Sequence, residues 1–306
     1  MNNHDGAMRA MRASSSDPAS LSLDEVPIPD PGPGEVLVRV AATAVTAQEL
    51  TWPEEWPVIP CHDLSGVVAG SGAGDTGLPD GTEVFGLIGF DRPGAAAEYV
   101  AVPAADLAAR PAGIDHVAAA AIPLGALTAW QALHDHADLQ PGQHVLVHGG
   151  AGGVGAYAVQ VAVALGARVT ATASARDAAY VAGLGAHQVI DYKGRFEDEV
   201  RDVDVVVDPV GGDAMARSWP VLRAGGILVA IAEEAPKDQG GRDDVRSVYF
   251  VVEPSGAQLG ELAKLVDDGK LRAAVSATFG LAELREAFAA QQHRSHPGKI
   301  VVTVAG

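Results

Sequence analysis

From about residue 143 the chain alternates regularly between two kinds of segment. Short apolar runs at 144–148, 168–173, 187–190, 203–207 and 226–232 are separated by longer stretches at 154–165, 176–184 and 213–223. Short apolar runs bounded by turn formers read as buried strands, and recurrence at i, i+3 and i+4 reads as helix. Alternation at this spacing predicts a doubly wound parallel sheet with helices on both faces. Before residue 143 the texture differs. Strand-like runs at Val36–Val40, Gly66–Gly70, Glu83–Leu87 and Ala97–Val102 are broken by Gly and Pro, which predicts a compact β-rich domain. A helical pattern begins near His116 and runs through Ala126–Leu133. After about 255 the pattern predicts a helix at 256–268, a strand at 273–279, a helix at 281–292 and a strand at 299–304. That tail has too little apolar surface to fold alone and is expected to complete the N-terminal domain. The expected division is 1–122 with 256–306 for the β-rich domain, and 123–255 for an inserted domain.

Composition narrows the function classes. Aromatic residues make up 5% of the 306 and hydrophobic residues 48%, so the core is built mainly from Ala, Val and Leu. Lys plus Arg number 21 against 39 for Asp plus Glu, a formal charge of −18. Such a field repels nucleic acid and anionic membranes. The single cysteine, Cys61, excludes an intramolecular disulfide and a multi-cysteine metal lobe. A buried, inert thiol is its default reading. No apolar run has the length of a membrane span. Met1–Ala7 is polar and reads as a loose extension, with Met8 as an alternative start. A cytoplasmic chain with neither nucleic-acid nor membrane partners is expected.

Candidate chemistry starts at Val145-Leu146-Val147-His148-Gly149-Gly150-Ala151-Gly152-Gly153-Val154-Gly155. Gly150, Gly152 and Gly155 fit G-x-G-x-x-G between a strand and a helix, the context that makes this pattern a dinucleotide fingerprint. The glycines allow a tight turn, close approach of a pyrophosphate and close helix packing, and the helix start favours anions. Ligands of such sheets bind at the carboxyl ends of the strands, here Gly149, Ala173–Arg176, Asp191-Tyr192, Asp208–Gly211 and Ala230–Ala232. NAD-binding units place an acid about 20 residues past the glycines, at the end of the second strand. This chain has Ser174-Ala175-Arg176 there, and no carboxylate until Asp177 in the next helix. Ser and Arg can bond and neutralise a 2′-phosphate, which favours NADPH (NADP+) over NADH. Ser174 could equally be a helix N-cap, with Arg176 a solvated first-turn residue. Tyr192 could pack near the adenosine or be a half-buried loop residue.

Several stretches together resemble the zinc-free quinone oxidoreductase (zeta-crystallin-like) branch of the medium-chain dehydrogenase/reductase superfamily. They are Pro31-Gly32-Pro33-Gly34-Glu35-Val36-Leu37-Val38-Arg39-Val40, His62-Asp63-Leu64-Ser65-Gly66-Val67-Val68, Leu127-Thr128-Ala129-Trp130-Gln131-Ala132-Leu133, the glycine run with Pro141-Gly142-Gln143-His144 before it, Leu184-Gly185-Ala186 with Val189-Ile190-Asp191-Tyr192, Asp208-Pro209-Val210-Gly211-Gly212, and Gly298-Lys299-Ile300-Val301. They occur in order from about residue 21 to the C-terminus. The resemblance implies a Rossmann sheet inserted in a GroES-like catalytic domain, catalysis in the cleft between them, NADPH as cofactor and a homodimer joined through the Rossmann domain. It also implies that Thr128, Phe250 and Val252 approach the nicotinamide, that Gly150, Gly152, Gly153, Val154, Val210 and Ile231 line the cofactor's path, and that Lys299 lies near the cleft.

Zinc-dependent relatives need three protein ligands, and this chain keeps one candidate, His62, followed by Asp63. Ala44, Val45 and Thr46, and later Pro123, Leu124 and Gly125, stand where the other ligands would be, so no metal is expected. Without a Lewis acid, alcohol dehydrogenation is difficult, whereas hydride addition to a quinone or an α,β-unsaturated carbonyl compound needs little more than a donor for the developing oxyanion. Thr46 and His62 are the candidate donors; a strand-end residue and a satisfied packing histidine are the plainer readings. Many members of the family carry an Asn where this chain has Val45–Leu50. Trp52 and Trp56 could form a flat wall for a planar acceptor, or cap the small domain's core. The leading expectation is an NADPH-dependent quinone or enone reductase. An enoyl-thioester reductase and a non-catalytic NADPH-binding sensor or structural protein are the alternatives.

Overall fold

The first seven strands follow one another with little helix between them. β1 (Ala7–Arg12) and β2 (Ser22–Pro27) pair antiparallel. β3 (Glu35–Val45), β4 (Asp63–Ser71), β5 (Glu83–Leu87), β6 (Tyr99–Pro103) and β7 (Leu107–Ala109) come next. β3 is the spine of this group, because Val36, Leu37, Val38, Val40, Ala42, Ala44 and Val45 are all buried. α1 (His116–Ala120) is N-capped by the Asp115 carboxylate, which accepts the Ala118 N–H at 2.8 Å. α2 (Pro123–Trp130) starts on a proline, whose missing donor is no loss in a first turn, and runs on as a π-helix over Gln131–His136.

Strand and helix then alternate: β8 (His144–Val147), α3 (Gly155–Ala164), β9 (Arg168–Ala173), α4 (Ala178–Gly183), β10 (Gln188–Asp191), α5 (Phe196–Glu199), β11 (Val203–Asp208), α6 (Gly212–Ser218), β12 (Leu222–Ala230) and β13 (Arg246–Tyr249). These strands pair parallel in the order β10-β9-β8-β11-β12-β13. That is a Rossmann sheet, and the order reverses between β8 and β11, where its ligands bind. The tail adds α7 (Gly256–Asp267), β14 (Val275–Gly280), α8 (Leu284–Gln292) and β15 (Lys299–Thr303). β15 pairs parallel with β14 and antiparallel with β3, Ile300 opposite Val45. The last strand thereby completes the β14-β15-β3-β4-β5-β7 sheet, with β6 also on β3. This is the GroES-like β-rich half.

The computed structural model describes residues 6–293 and 296–304. Two compact units result: 1–124 with 253–306, and 125–252. No helix among the described residues is long and apolar enough to cross a membrane. Three local expectations change. The extension read at Met1–Ala7 is ordered at its end, where Gly6 O accepts the Ile28 N–H at 3.0 Å and Ala7 pairs with Pro27; Met1–Asp5 lie outside the described residues. The helix expected at 213–223 stops at Ser218, because Pro220 cannot donate to a continuing helix, and Leu222 already begins β12. β13 escaped the sequence pattern because Arg246-Ser247-Val248-Tyr249 lies at a sheet edge and carries few apolar residues.

Candidate active site

β8 runs into a turn, His148–Val154, which leads into α3. Gly149 adopts φ +60°, and the Gly150 N–H donates to Thr172 O at 2.8 Å. A Cβ on Gly155 would lie 2.2 Å from the Gly149 carbonyl oxygen, and one on Gly150 would lie 3.0 Å from Ala171 and Val181. Side chains at 150 and 155 would force strand, turn and helix apart. No side chain caps α3, whose cap position is Val154; the Ala156 and Tyr157 N–H groups donate to backbone Gly152 O at 3.2 Å and Val154 O at 3.0 Å, and the positive end of the helix dipole at this turn favours a phosphate.

A cavity of about 430 Å³ lies at the sheet's reversal, lined by His148, Gly149, Thr172, Tyr192, Phe196, Val210 and Arg217 among others. Its aromatic and aliphatic walls suit a flat base. Asp208, fully buried at the end of β11, accepts the Val210 and Gly211 N–H groups through Oδ1 at 2.9 and 3.0 Å. Its Oδ2 is buried without a hydrogen-bond partner, which leaves an acceptor for an incoming O–H. A turn that excludes Cβ atoms, a slot and an open acceptor together fit a dinucleotide. His148 bridges Thr172 Oγ1 at 3.1 Å and Ser218 Oγ at 2.8 Å, and burial pushes its pKa down to about 4, so it is neutral at pH 7.

At the end of β9 the Ser174 hydroxyl donates to Asp177 Oδ2 at 2.8 Å, and its oxygen accepts the Asp177 N–H at 3.2 Å. Arg176 donates through Nε and Nη2 to the same carboxylate, at 3.0 and 3.1 Å. Ser174 is therefore a turn-closing residue, and Arg176 is paired rather than merely solvated. The Tyr192 N–H donates to Ala173 O at 3.1 Å, which puts this half-exposed phenol beside the same corner.

A second polar cluster lies in the β-rich unit. Thr46, next after β3, accepts from Lys299 Nζ through Oγ1 at 2.9 Å, and the same Nζ pairs with Asp63 Oδ2 at 2.9 Å. Lys299 and Asp63 are both buried, and Asp63 Oδ1 accepts the Leu124 N–H at 2.7 Å. Buried Glu49 accepts the Thr46 N–H at 3.2 Å and the Cys61 N–H at 2.7 Å. Of these two buried carboxylates Asp63 pairs with the ammonium directly, while Glu49 feels its charge without bonding it. Burial pushes the Glu49 pKa up to about 7; Asp63 adds to the rise, while Lys299 and the two N–H donors oppose it. Burial also raises the Cys61 thiol, which keeps it protonated and inert. His62 bonds Ile88 O through Nδ1 at 3.2 Å and stacks edge-on against Phe90, and burial lowers its pKa, the character of a packing histidine.

The remaining candidates are dispersed. Trp52 is 42% exposed with its ring edge-on to Phe90, while Trp56 packs against the hydrophobic core, so the two indoles have separate surroundings. Thr128 is buried in α2, and Ile231 follows β12 with its N–H on Asp208 O. The Phe250 ring rests on His136, and Val252 is buried. None of these four lines the cavity at the sheet's reversal. Sequence reasoning placed Asp208 among the strand-end residues that ligands meet, but assigned no role to His148, Arg217 or Glu49. Glu49 had a visible signal, the hydroxyl-x-x-acid spacing of a capping box from Thr46. Arg217, midway along α6, had none.

Two family descriptions match this chain: an alcohol dehydrogenase GroES-like domain over residues 32–112 and a zinc-binding dehydrogenase over 184–302. A probable zinc-binding oxidoreductase, mitochondrial, from Arthroderma benhamiae is 32% identical over 93% of this chain and 93% of its own. The chain belongs to the medium-chain dehydrogenase/reductase superfamily. Within the superfamily it stands in the zinc-free quinone and NAD(P)H oxidoreductase branch. The mouse mitochondrial NAD(P)H oxidoreductase RTN4IP1 is 31% identical over 89% of this chain and 82% of its own. The chloroplastic quinone-oxidoreductase QR1 of Triphysaria versicolor is 30% identical over 93% and 94%. A crystal structure of an alcohol dehydrogenase superfamily protein from Novosphingobium aromaticivorans superposes with a TM-score of 0.91 at 31% identity, covering 97% of this chain and 100% of that one.

Although one matching description names zinc, no three His, Cys, Asp or Glu side chains gather to hold a metal among the described residues. Ala44 and Val45 are core residues, Thr46 is bonded to Lys299, and Leu124 offers Asp63 a backbone N–H. The relatives correct one expectation. Those relatives are named mitochondrial or chloroplastic, and the cytoplasmic assignment is withdrawn. A net charge of −18 does not distinguish one compartment from another, so composition could not decide among them.

Proposed function

We propose that this protein is an NADPH-dependent reductase that transfers hydride to a quinone or an α,β-unsaturated carbonyl compound without zinc. Bound NADPH supplies the hydride. The glycine turn and the α3 N-terminus hold its pyrophosphate, the apolar slot holds the base, and Ser174 with Arg176 meets the 2′-phosphate. The observation that carries the reading is the Lys299–Thr46 bond of 2.9 Å. Because the Thr46 oxygen accepts from an ammonium, its own proton is left for another acceptor, and the oxyanion that forms as hydride arrives is such an acceptor. Charge on Lys299 makes that hydroxyl a stronger donor. Relatives named quinone and NAD(P)H oxidoreductases support the same chemistry.

An anaerobic NADPH-oxidation screen over quinones, enones and enoyl thioesters, with NADH in parallel, tests this. Turnover of quinones or enones is expected, with Thr46→Val lowering kcat about 10²-fold, the lower range for a single lost oxyanion donor. Unchanged kcat in that variant would remove Thr46 from the reaction, fastest turnover of enoyl thioesters would favour that reductase class, and binding without turnover would favour a sensor. We also propose a homodimer formed through the edge of the Rossmann sheet. β13 ends that sheet, and Tyr249 and Val251 beside it are 44% and 59% exposed.

A further inference from the structure

The carboxylate of Asp177 occupies the anion position between Ser174 and Arg176. We propose that it stands where the cofactor's 2′-phosphate must go, and so limits how strongly this protein prefers NADPH over NADH. The inference rests on the NADPH reading above.

Three donors converge on this one side chain: the Ser174 hydroxyl at 2.8 Å, Arg176 Nε at 3.0 Å and Arg176 Nη2 at 3.1 Å. Hydroxyl and guanidinium donors are also what a phosphate monoester would recruit. The two Asp177 anchors differ in mobility. Its carboxylate is fixed, with a side chain 13% exposed and a backbone N–H held by Ser174 O at 2.9 Å and Ser174 Oγ at 3.2 Å. The Arg176 side chain is 63% exposed, and the two bonds to Asp177 are its only side-chain hydrogen bonds among the described residues, so it is the partner that can move. An arriving 2′-phosphate therefore has to draw Arg176 away from a partner that stays behind as a negative charge beside it. Asp177 opposes the phosphate twice, by competing for the cation and by repulsion. A ribose 2′-hydroxyl meets neither penalty. It finds an acceptor instead, in a residue lying about 20 positions beyond the glycines, the spacing at which NAD-binding units carry their acid. The corner thus combines a phosphate-binding pair with a hydroxyl-binding carboxylate, which makes selection graded.

Calorimetric titration of the full chain with 2′,5′-ADP and with 5′-AMP separates the possibilities. The unaltered protein should bind 2′,5′-ADP more tightly than 5′-AMP, and Arg176→Ala should remove most of the difference. Asp177→Asn, which keeps an acceptor oxygen for the Ser174 hydroxyl, should tighten 2′,5′-ADP about tenfold and leave 5′-AMP within about twofold, the size expected when one nearby like charge is removed from a partly solvated site. Unchanged or weaker 2′,5′-ADP binding with normal 5′-AMP binding would overturn the Asp177 proposal alone. An unaltered protein that does not distinguish the two nucleotides would overturn the NADPH reading and this inference with it. Should Asp177→Asn lose 5′-AMP binding through damage to the α4 turn, Asp177→Ser, a smaller uncharged residue suited to a helix start, is held to the same criterion.

Discussion

Two four-residue patterns, Thr46-Ala47-Gln48-Glu49 and Ser174-Ala175-Arg176-Asp177, hold much of the chemistry. Each is a hydroxyl, two spacers and an acid, the signature of a capping box, and in each the acid bonds back to the hydroxyl residue. The local bond was legible in both. Their long-range partners were not, because Lys299 lies 253 residues from Thr46 and no local period joins them. Glu49 makes the consequence measurable. Its carboxyl rises from an ordinary 4.5 to about 7 on folding, so its contribution to stability is complete below pH 4.5 and is lost as the pH rises through 7. The loss amounts to about 3 kcal/mol at 1.36 kcal/mol per pH unit. Glu49→Gln cannot ionise, so its urea midpoint should fall less than that of the unaltered protein between pH 5 and pH 8. Equal slopes would show that the charge is accommodated without penalty.

At the scale of elements, the glycine turn was the most legible feature, because each glycine answers a steric demand that only the absence of a side chain meets. Gly155→Ala places a methyl 2.2 Å from the Gly149 carbonyl oxygen, and backbone atoms cannot give way as a flexible side chain would. We expect a loss of about 3 kcal/mol or more, the upper range for overpacking, and no detectable NADPH binding by fluorescence titration. Retained binding would mean that the turn relaxes. By the same logic β1, β2 and β13 were hard to see. Each lies outside a doubly buried sheet centre, so one face or one edge stays polar and the apolar period is diluted. β8 and β11 were plain because Val145, Leu146, Val147, Val206 and Val207 are all fully buried.

Across the whole molecule, the alternation of the middle segment and the poverty of the tail were enough to foresee a parallel unit inserted in a β-rich one. The arrangement of charges within each unit was not foreseeable, since burial pairs residues by position in space. Assembly belongs at this scale as well. An open strand edge flanked by apolar side chains is a template for a second copy. Sedimentation velocity should give a dimer for the unaltered chain, and Val251→Glu, which sets a charge at that edge, should give monomers. A monomeric unaltered chain would refute the edge-to-edge arrangement.

The pairing of β15 with β3 has a consequence for the order of events during synthesis. β3 ends at Val45, yet the strand that covers its flank does not begin until Lys299. At about 5–20 residues per second, that flank waits on the order of 10–50 s for its partner. The Rossmann segment, which ends at Val252, is complete roughly 2–9 s before β15 begins to be made. It is free to fold first, while the Ala42–Val45 edge of β3 stays unpaired until β15 is made. Chaperone dependence during synthesis should therefore follow the late strand, and slow decoding of the stretch between β3 and β15 would prolong the exposure.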